Sequence, residues 1–255
     1  MGTYACTGSN SGIGAALVLE LREKGHDVIT VDLVNADIVA DLSSAEGRQQ
    51  AIDGILKHAP MGLDGFVPAA GVGRGLATSE LITSVNYFGT VELVEGLRDA
   101  LLMKNGSVVL LGSISASIAQ ERDEYMSALL ASDESVALKI AANLKDAVCY
   151  MLGKRALIIW MQRNIMSYGR DGIRINLVAP GLVSTPMTQS LLDQEKYISI
   201  LESTLDATPL RRVCEPQEVA GSIVFLLDPQ FSYICGTVLH IDGGFNAYTR
   251  QDQIG

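Results

Sequence analysis

Residues 3–24, TYACTGSNSGIGAALVLELREK, constrain the fold more than any other stretch. A short β-like run meets a glycine-rich turn, Thr7-Gly8-x(3)-Gly12-x-Gly14, and an amphipathic helix opens directly from it. A turn of this kind lets backbone approach a pyrophosphate, while the helix N-terminus offers free N–H groups and positive dipole character. Gly8, Ser11, Gly12, Ile13 and Gly14 are therefore candidate phosphate-binding positions. A tight strand–helix turn with no ligand is the plainer reading. The context favours the first, because the turn begins a βαβ unit.

The rest of the chain repeats the alternation. β-like runs stand at 26–32, 36–41, 63–70, 106–113, 172–180 and 237–242. Helical patterns fall at about 44–58, 79–103, 150–168 and 216–228. Strands alternating with helices imply a parallel sheet covered on both faces, and right-handed crossovers make it doubly wound. The expected fold is α/β, a single-domain Rossmann-type sheet over residues 1–255. No Pro/Gly/Ser-rich linker divides the chain, and 255 residues suffice for one large core.

Asp32 ends the second run, 18 residues after Gly14. A carboxylate there can accept hydrogen bonds from both hydroxyls of an adenosine ribose and repels a 2′-phosphate. Leu33 follows it and Ser11 precedes Gly12, so no cation stands ready for NADP, and the expected cofactor is NAD. Asp41 and Leu42 are candidate adenine contacts. The net charge of −10 disfavours nonspecific nucleic-acid binding and anionic membrane surfaces. No apolar run approaches membrane-spanning length, and the N-terminus has no signal-peptide pattern. Cys6, Cys149, Cys214 and Cys235 show no CxxC spacing, which fits reduced thiols in a cytoplasm, and the three histidines make no metal pattern.

Tyr150 and Lys154 lie four positions apart, on one face of a helix. Alone, the pair means little. In company it does not stand alone. TGSNSGIG, Asp32, AAG at 69–71, Asn86 in SVNYFG, Ser113 in LLGSIS, Tyr150, Lys154, RINLVAPG at 174–181, STPM, EPQEVA and CGTVLHIDGG at 235–244 occur in order. Over nearly its whole length the chain thereby resembles the short-chain dehydrogenase/reductase family. It also resembles the branch of bacterial 3α-hydroxysteroid dehydrogenases/carbonyl reductases, through its VADL-type third strand, its VNYFG helix start and a long insertion. Thirty-six residues separate Ser113 from Tyr150, far more than most of the family carries, and place the insertion at about 117–148. One departure is Pro68-Ala69-Ala70-Gly71, where the family often has Asn; it puts one strand-bracing contact in doubt.

The resemblance implies roles. Tyr150 would be the general base, its phenol pulled down by a nearby ammonium and by the positive nicotinamide ring. Lys154 would also hold the nicotinamide ribose. Ser113 would steady the reacting oxygen, and Asn86 would hold a water linking Lys154 to solvent. Ala70, Gly71, Pro180, Gly181, Val183 and Thr185 would line the cofactor's path. Residues 184–210 read as a lid, apolar at Met187, Leu191, Leu192, Tyr197, Ile198, Ile200 and Leu201, with no clamp for a phosphate or carboxylate. The expected substrate is a small neutral apolar cyclic secondary alcohol or its ketone, a steroid or a monoterpenoid. A non-catalytic NAD-binding regulator is the alternative of another class. A homodimer is expected through the last strand, with a tetramer possible, because that strand is an edge candidate.

Overall fold

A computed structural model of the chain describes residues 1–118 and 123–250. Four positions of the expected insertion, 119–122, lie outside the described residues. The strands are β1 (Thr3–Thr7), β2 (Asp27–Asp32), β3 (Ile38–Val39), β4 (Gly65–Pro68), β5 (Ser107–Leu111), β6 (Arg174–Pro180) and β7 (Val238–Ile241). They form one parallel sheet in the order β3-β2-β1-β4-β5-β6-β7. The order reverses between β1 and β4, the switch point at which an open α/β sheet forms its crevice.

Successive side chains of a strand face opposite ways, and the two faces are covered separately. Tyr4 and Cys6 of β1 pack with Leu17 of α1 (Gly12–Glu23) and Ile223 of α11 (Pro216–Leu227). Ala5 faces a larger core with α2 (Ala45–His58), α4 (Gly89–Gly96) and α8 (Asp146–Arg170). Every residue of β6 is buried, as a central strand covered on both faces requires. β3 is two residues long, shorter than the expected 36–41 run; before it, Asp37 is held to Thr30 by hydrogen bonds of 2.7–3.0 Å, which keeps it out of the ladder.

The helical pattern expected over 79–103 is not one helix. It runs as α3 (Ser79–Thr83), a π turn (Ser84–Phe88), α4 and α5 (Arg98–Leu102). The insertion forms α6 (Asp123–Leu130) and α7 (Glu134–Ala141), which pack Tyr125, Leu129, Ala137 and Ala141 into the larger core. Arg48 of α2, 1% exposed, ties this pair of helices down: it donates to Glu92 of α4 at 2.6 Å and to Glu134 of α7 at 2.5 Å. Past β6 come α9 (Pro186–Leu192) and α10 (Glu195–Asp206), and the described chain ends with α12 (Phe245–Thr249) after β7.

Candidate active site

The carboxyl ends of the strands open into a cavity of about 300 Å³. Its floor is the glycine turn, and each glycine there answers a different contact. A Cβ on Gly14 would stand 2.1 Å from the Gly8 carbonyl oxygen, and one on Gly8 (φ +64°) would meet Ala70 backbone at 2.7 Å. A Cβ on Gly12 (φ +52°) would crowd Thr185 at 3.1 Å. Ser11 precedes α1 without placing a side-chain oxygen on it, and the first turn holds no acid, so its N–H groups remain available to an anion. These residues fit a dinucleotide's pyrophosphate.

Asp32 points its carboxylate back at this turn. Its Oδ2 accepts from Asn10 N at 2.9 Å and its Oδ1 from Leu33 N at 2.7 Å. Leu33 itself is 61% exposed. Asp41 accepts from Ser43 N at 2.9 Å, while the Leu42 side chain belongs to the core. Ala70 donates its N–H to Thr7 Oγ1 at 3.0 Å, so the end of β4 is braced to β1 even without the family's Asn. Asp32, Leu33, Asp41, Leu42 and Ala70 lie away from the cavity lining, whereas Gly71, Pro180, Gly181, Val183 and Thr185 are part of it.

Asn86, Ser113, Tyr150 and Lys154 also line the cavity, although they come from four separate segments. The strand end sets Ser113 beyond β5. Its Oγ accepts from Ser115 N at 3.2 Å and Ser115 Oγ at 3.0 Å. Ser117 turns away to Ile114 O. Asn86 sits at the centre of the π turn, and both ends of its amide serve Val72: Oδ1 accepts from Val72 N at 2.8 Å, and Nδ2 donates to Val72 O at 2.9 Å. A π turn inserted in a helix often marks a functional position. Lys154, 5% exposed, donates to Leu111 O at 2.6 Å, and its Nζ lies 5.9 Å from the Tyr150 ring centroid.

Electrostatics departs from expectation at one point. Burial is the largest influence on Tyr150 and raises its phenol pKa, while a hydrogen bond from Ser113 and the Arg74 charge act to lower it. Burial also depresses the Lys154 ammonium to about 8. The protein's own groups therefore leave the phenol above its usual value, because removing the site from water penalises phenolate more than these neighbours favour it.

Arg74 was not singled out from the sequence. It comes from the loop after β4 rather than from residues 184–210, and it puts a cation in a cavity for which the 184–210 segment alone offers no clamp. Parallel topology gathers every strand's carboxyl end at one crevice, so a distant loop supplies a wall that local patterning does not reveal. Of the apolar residues in that segment, Met187, Leu191, Ile200 and Leu201 line the cavity. Leu192, Tyr197 and Ile198 are not part of that lining. Phe245 joins from α12.

The comparisons with known proteins agree with this geometry. A family model described as enoyl-(acyl carrier protein) reductase matches residues 135–246. The 3-alpha-hydroxysteroid dehydrogenase/carbonyl reductase of Comamonas testosteroni is 35% identical over 99% of this chain and 100% of its own length. The crystal structure of the 3-alpha-hydroxysteroid dehydrogenase from Pseudomonas sp. B-0831, complexed with NADH, superposes with a TM-score of 0.93 at 41% identity, covering 99% of this chain and 100% of that one. Levodione reductase superposes at 0.76 with 25% identity, covering 96% and 97%. The chain belongs to the short-chain dehydrogenase/reductase family and is an oxidoreductase of that family, whose members use a nicotinamide dinucleotide. Among the described residues no helix is long and apolar enough to cross a membrane.

Proposed function

We propose that the protein interconverts an apolar ring-bearing secondary alcohol and its ketone, with NAD as hydride acceptor and NADH as donor. The convergence of Ser113, Tyr150 and Lys154 on one cavity with aliphatic walls carries this reading. NAD, when bound, would supply the hydride-accepting carbon, held by the residues below. Tyr150 takes the hydroxyl proton in the same step, so the alcohol loses a hydride and a proton and becomes the ketone. Ser113 donates a hydrogen bond to the reacting oxygen. Lys154 holds the nicotinamide ribose, while Ser113 and the Arg74 charge are the groups of the protein that favour phenolate. Asn86 braces the loop bearing Val72 and, from the π turn, orders the water path to Lys154. Gly8, Ser11, Gly12, Ile13 and Gly14 cradle the pyrophosphate, and Asp32 with Leu33 reads the adenosine ribose. Asp41, Leu42, Ala70 and Gly71 border the adenosine, and Pro180, Gly181, Val183 and Thr185 border the nicotinamide.

The preference for NAD rests on Asp32, whose carboxylate is already fixed by two backbone N–H groups and repels a 2′-phosphate. The substrate reading rests on the cavity walls and on the names of the relatives, two of which act on cyclic compounds. Burial of apolar area at about 25 cal/mol per Å² then sets affinity. Residues 1–255 form one domain in this reading, with an insertion at about 117–148 and a lid at 184–210. The outer strand β7 and the apolar helix α11 pair two copies, while α6 and α7 block the neighbouring face over α3 and α8. Light scattering that finds a monomer at micromolar concentration removes the dimer.

Tyr150→Phe tests the chemistry. The variant is expected to fold and bind NADH but to lose at least about 10²-fold in kcat, the effect of removing a general acid/base. Turnover close to wild type, read as NAD reduction with a panel of cyclic alcohols, would falsify the mechanism.

A further inference from the structure

Among the described residues, the cavity lining carries two cations, Arg74 and Lys154, and no carboxylate. Lys154 already has an acceptor in Leu111 O. Arg74 forms no hydrogen bond or ion pair with any described residue. A guanidinium stays charged at every pH a protein survives, so burial cannot neutralise it. Here it is half-buried in a cavity that Val72, Ile114, Met187 and Leu191 also line. A partly desolvated cation among aliphatic walls is costly until an anion meets it.

The backbone around Arg74 is held from two sides. Gly75, at φ +75°, donates its N–H to Asp146 Oδ2 at the start of α8, and its carbonyl accepts from Gln194 Nε2 at 3.2 Å. A Cβ on Gly75 would stand 2.4 Å from the Tyr197 ring, and one on Gly73 would stand 2.8 Å from Met187. Arg74 is thus carried between two glycines that touch Met187 of α9, Tyr197 of α10 and Asp146 of α8. Asp146, bonded to the residue next to Arg74, turns its carboxylate to the N–H groups of Gly75 and Ala147 and makes no ion pair with Arg74.

We propose that Arg74 is a specificity-determining residue that binds a carboxylate borne by the ring-bearing alcohol or ketone, making an alicyclic hydroxy or keto acid the preferred substrate class. The inference rests on reading the cavity as a ring-alcohol site and keeps its apolar walls, but gives up the neutrality of the ligand. A planar guanidinium fork matches a carboxylate with two parallel N–H···O bonds, which a hydroxyl or amide cannot duplicate. Arg74 lines the same cavity as Ser113, Tyr150 and Lys154, so an anion on it shares that cavity with the chemistry.

Calorimetric titration of the NADH-loaded enzyme with cyclohexanecarboxylate and with cyclohexanecarboxamide decides the matter. The two ligands share the ring and differ in charge. The carboxylate is expected to bind at least about tenfold tighter, the scale of one charge-assisted pair. Arg74→Gln should abolish that preference, and Arg74→Lys, which keeps charge without the fork, should retain part of it. Equal affinities in the wild-type enzyme overturn the proposal. So does a preference that survives in Arg74→Gln, which assigns the anion to Lys154, or a loss of NADH affinity in that variant, which assigns Arg74 to the cofactor. Should Arg74→Gln not fold, the wild-type and Arg74→Lys titrations still decide. Failure to reduce NAD with any alcohol sinks the catalytic reading and leaves this comparison of affinities standing.

Discussion

The two walls of the cavity are built by opposite means. On the glycine-turn side, backbone packs on backbone: Gly14 against the Gly8 carbonyl, and Gly8 against Ala70. On the side of α9 and α10, side chains pack on the loop after β4, with Met187 over Gly73 and Tyr197 over Gly75. A backbone wall tolerates one residue type at each contact, so it writes itself into the sequence as a motif. A side-chain wall accepts many solutions of similar volume, and its residues carry no pattern of their own. The difference separates what is common to a family of such enzymes from what one member selects.

A substitution on each wall puts the contrast at risk. Gly14→Ala forces a Cβ into a carbonyl oxygen, with no side chain free to yield. An overpacking cost of about 1–3 kcal/mol, felt at the cradle, should raise the NADH Kd by up to about 10²-fold. Fluorescence titration reads this directly; unchanged affinity would mean that the turn gives way and the contrast is false. Gly75→Ala strains a left-handed backbone position (φ +75°) and crowds the Tyr197 ring, but the disturbance stays in the loop after β4, away from the cradle. The KM for a cyclic alcohol should rise by about tenfold while NADH affinity holds. If instead NADH affinity falls and KM does not, the two walls are not separable.

Asp32 sharpens the backbone side, because its charge is fixed by Asn10 and Leu33 N–H groups rather than by another side chain. Asp32→Ala should shrink the ratio of kcat/KM for NAD over NADP on the order of tenfold. The variant loses both the ribose hydrogen bonds and the repulsion. A ratio that stays constant shows that discrimination lies elsewhere.

The smallest effect concerns Lys154, whose burial lowers its pKa to about 8. Between about pH 8 and the free value of 10.5, the unfolded chain binds the proton that the folded chain has shed. Stability from this group therefore rises with pH across that window and is lost as pH falls through about 8. Tyr150 opposes it above pH 10, since its raised phenol keeps a proton that the unfolded chain gives up. Lys154→Met should consequently melt higher than wild type at pH 7, by on the order of 5 °C, with the advantage shrinking from pH 8 to pH 10. Calorimetric melting at the three pH values checks both sign and window. A constant difference places the cost of Lys154 in packing rather than in its charge.

Much of this was legible from residues alone, and the reasons are local. All seven strands stand within a few residues of where alternation put them, because fully covered parallel strands read as unbroken apolar runs. The segment 79–103 misled, since helical periodicity continues through Asn86 although the backbone there widens to a π turn. Nothing in SVNYF distinguishes one extra residue per turn from ordinary helix. The positions of Ser113, Tyr150 and Lys154 in one cavity follow from topology that the motif order implied. Arg74 was illegible for the opposite reason. It sits in a loop with no periodicity, and its meaning depends on contacts to helices about 70 and 120 residues further along, a separation that turn chemistry does not encode.

Arg48 carries a consequence for how the long insertion could be gained or lost. Its guanidinium is enclosed between a carboxylate of the common scaffold, Glu92, and one that belongs to the inserted hairpin, Glu134. Excising the hairpin as a cassette would strip away half of the compensation and open an enclosed cation to an uncovered face, a far heavier penalty than shortening a surface loop. Transplanting the hairpin into a relative with an aliphatic residue at position 48 would strand Glu134 in the same way. Two sites 86 residues apart must therefore change in concert. The hairpin is inherited as one half of a bargain with α2, and any attempt to trim or graft it has to carry both halves.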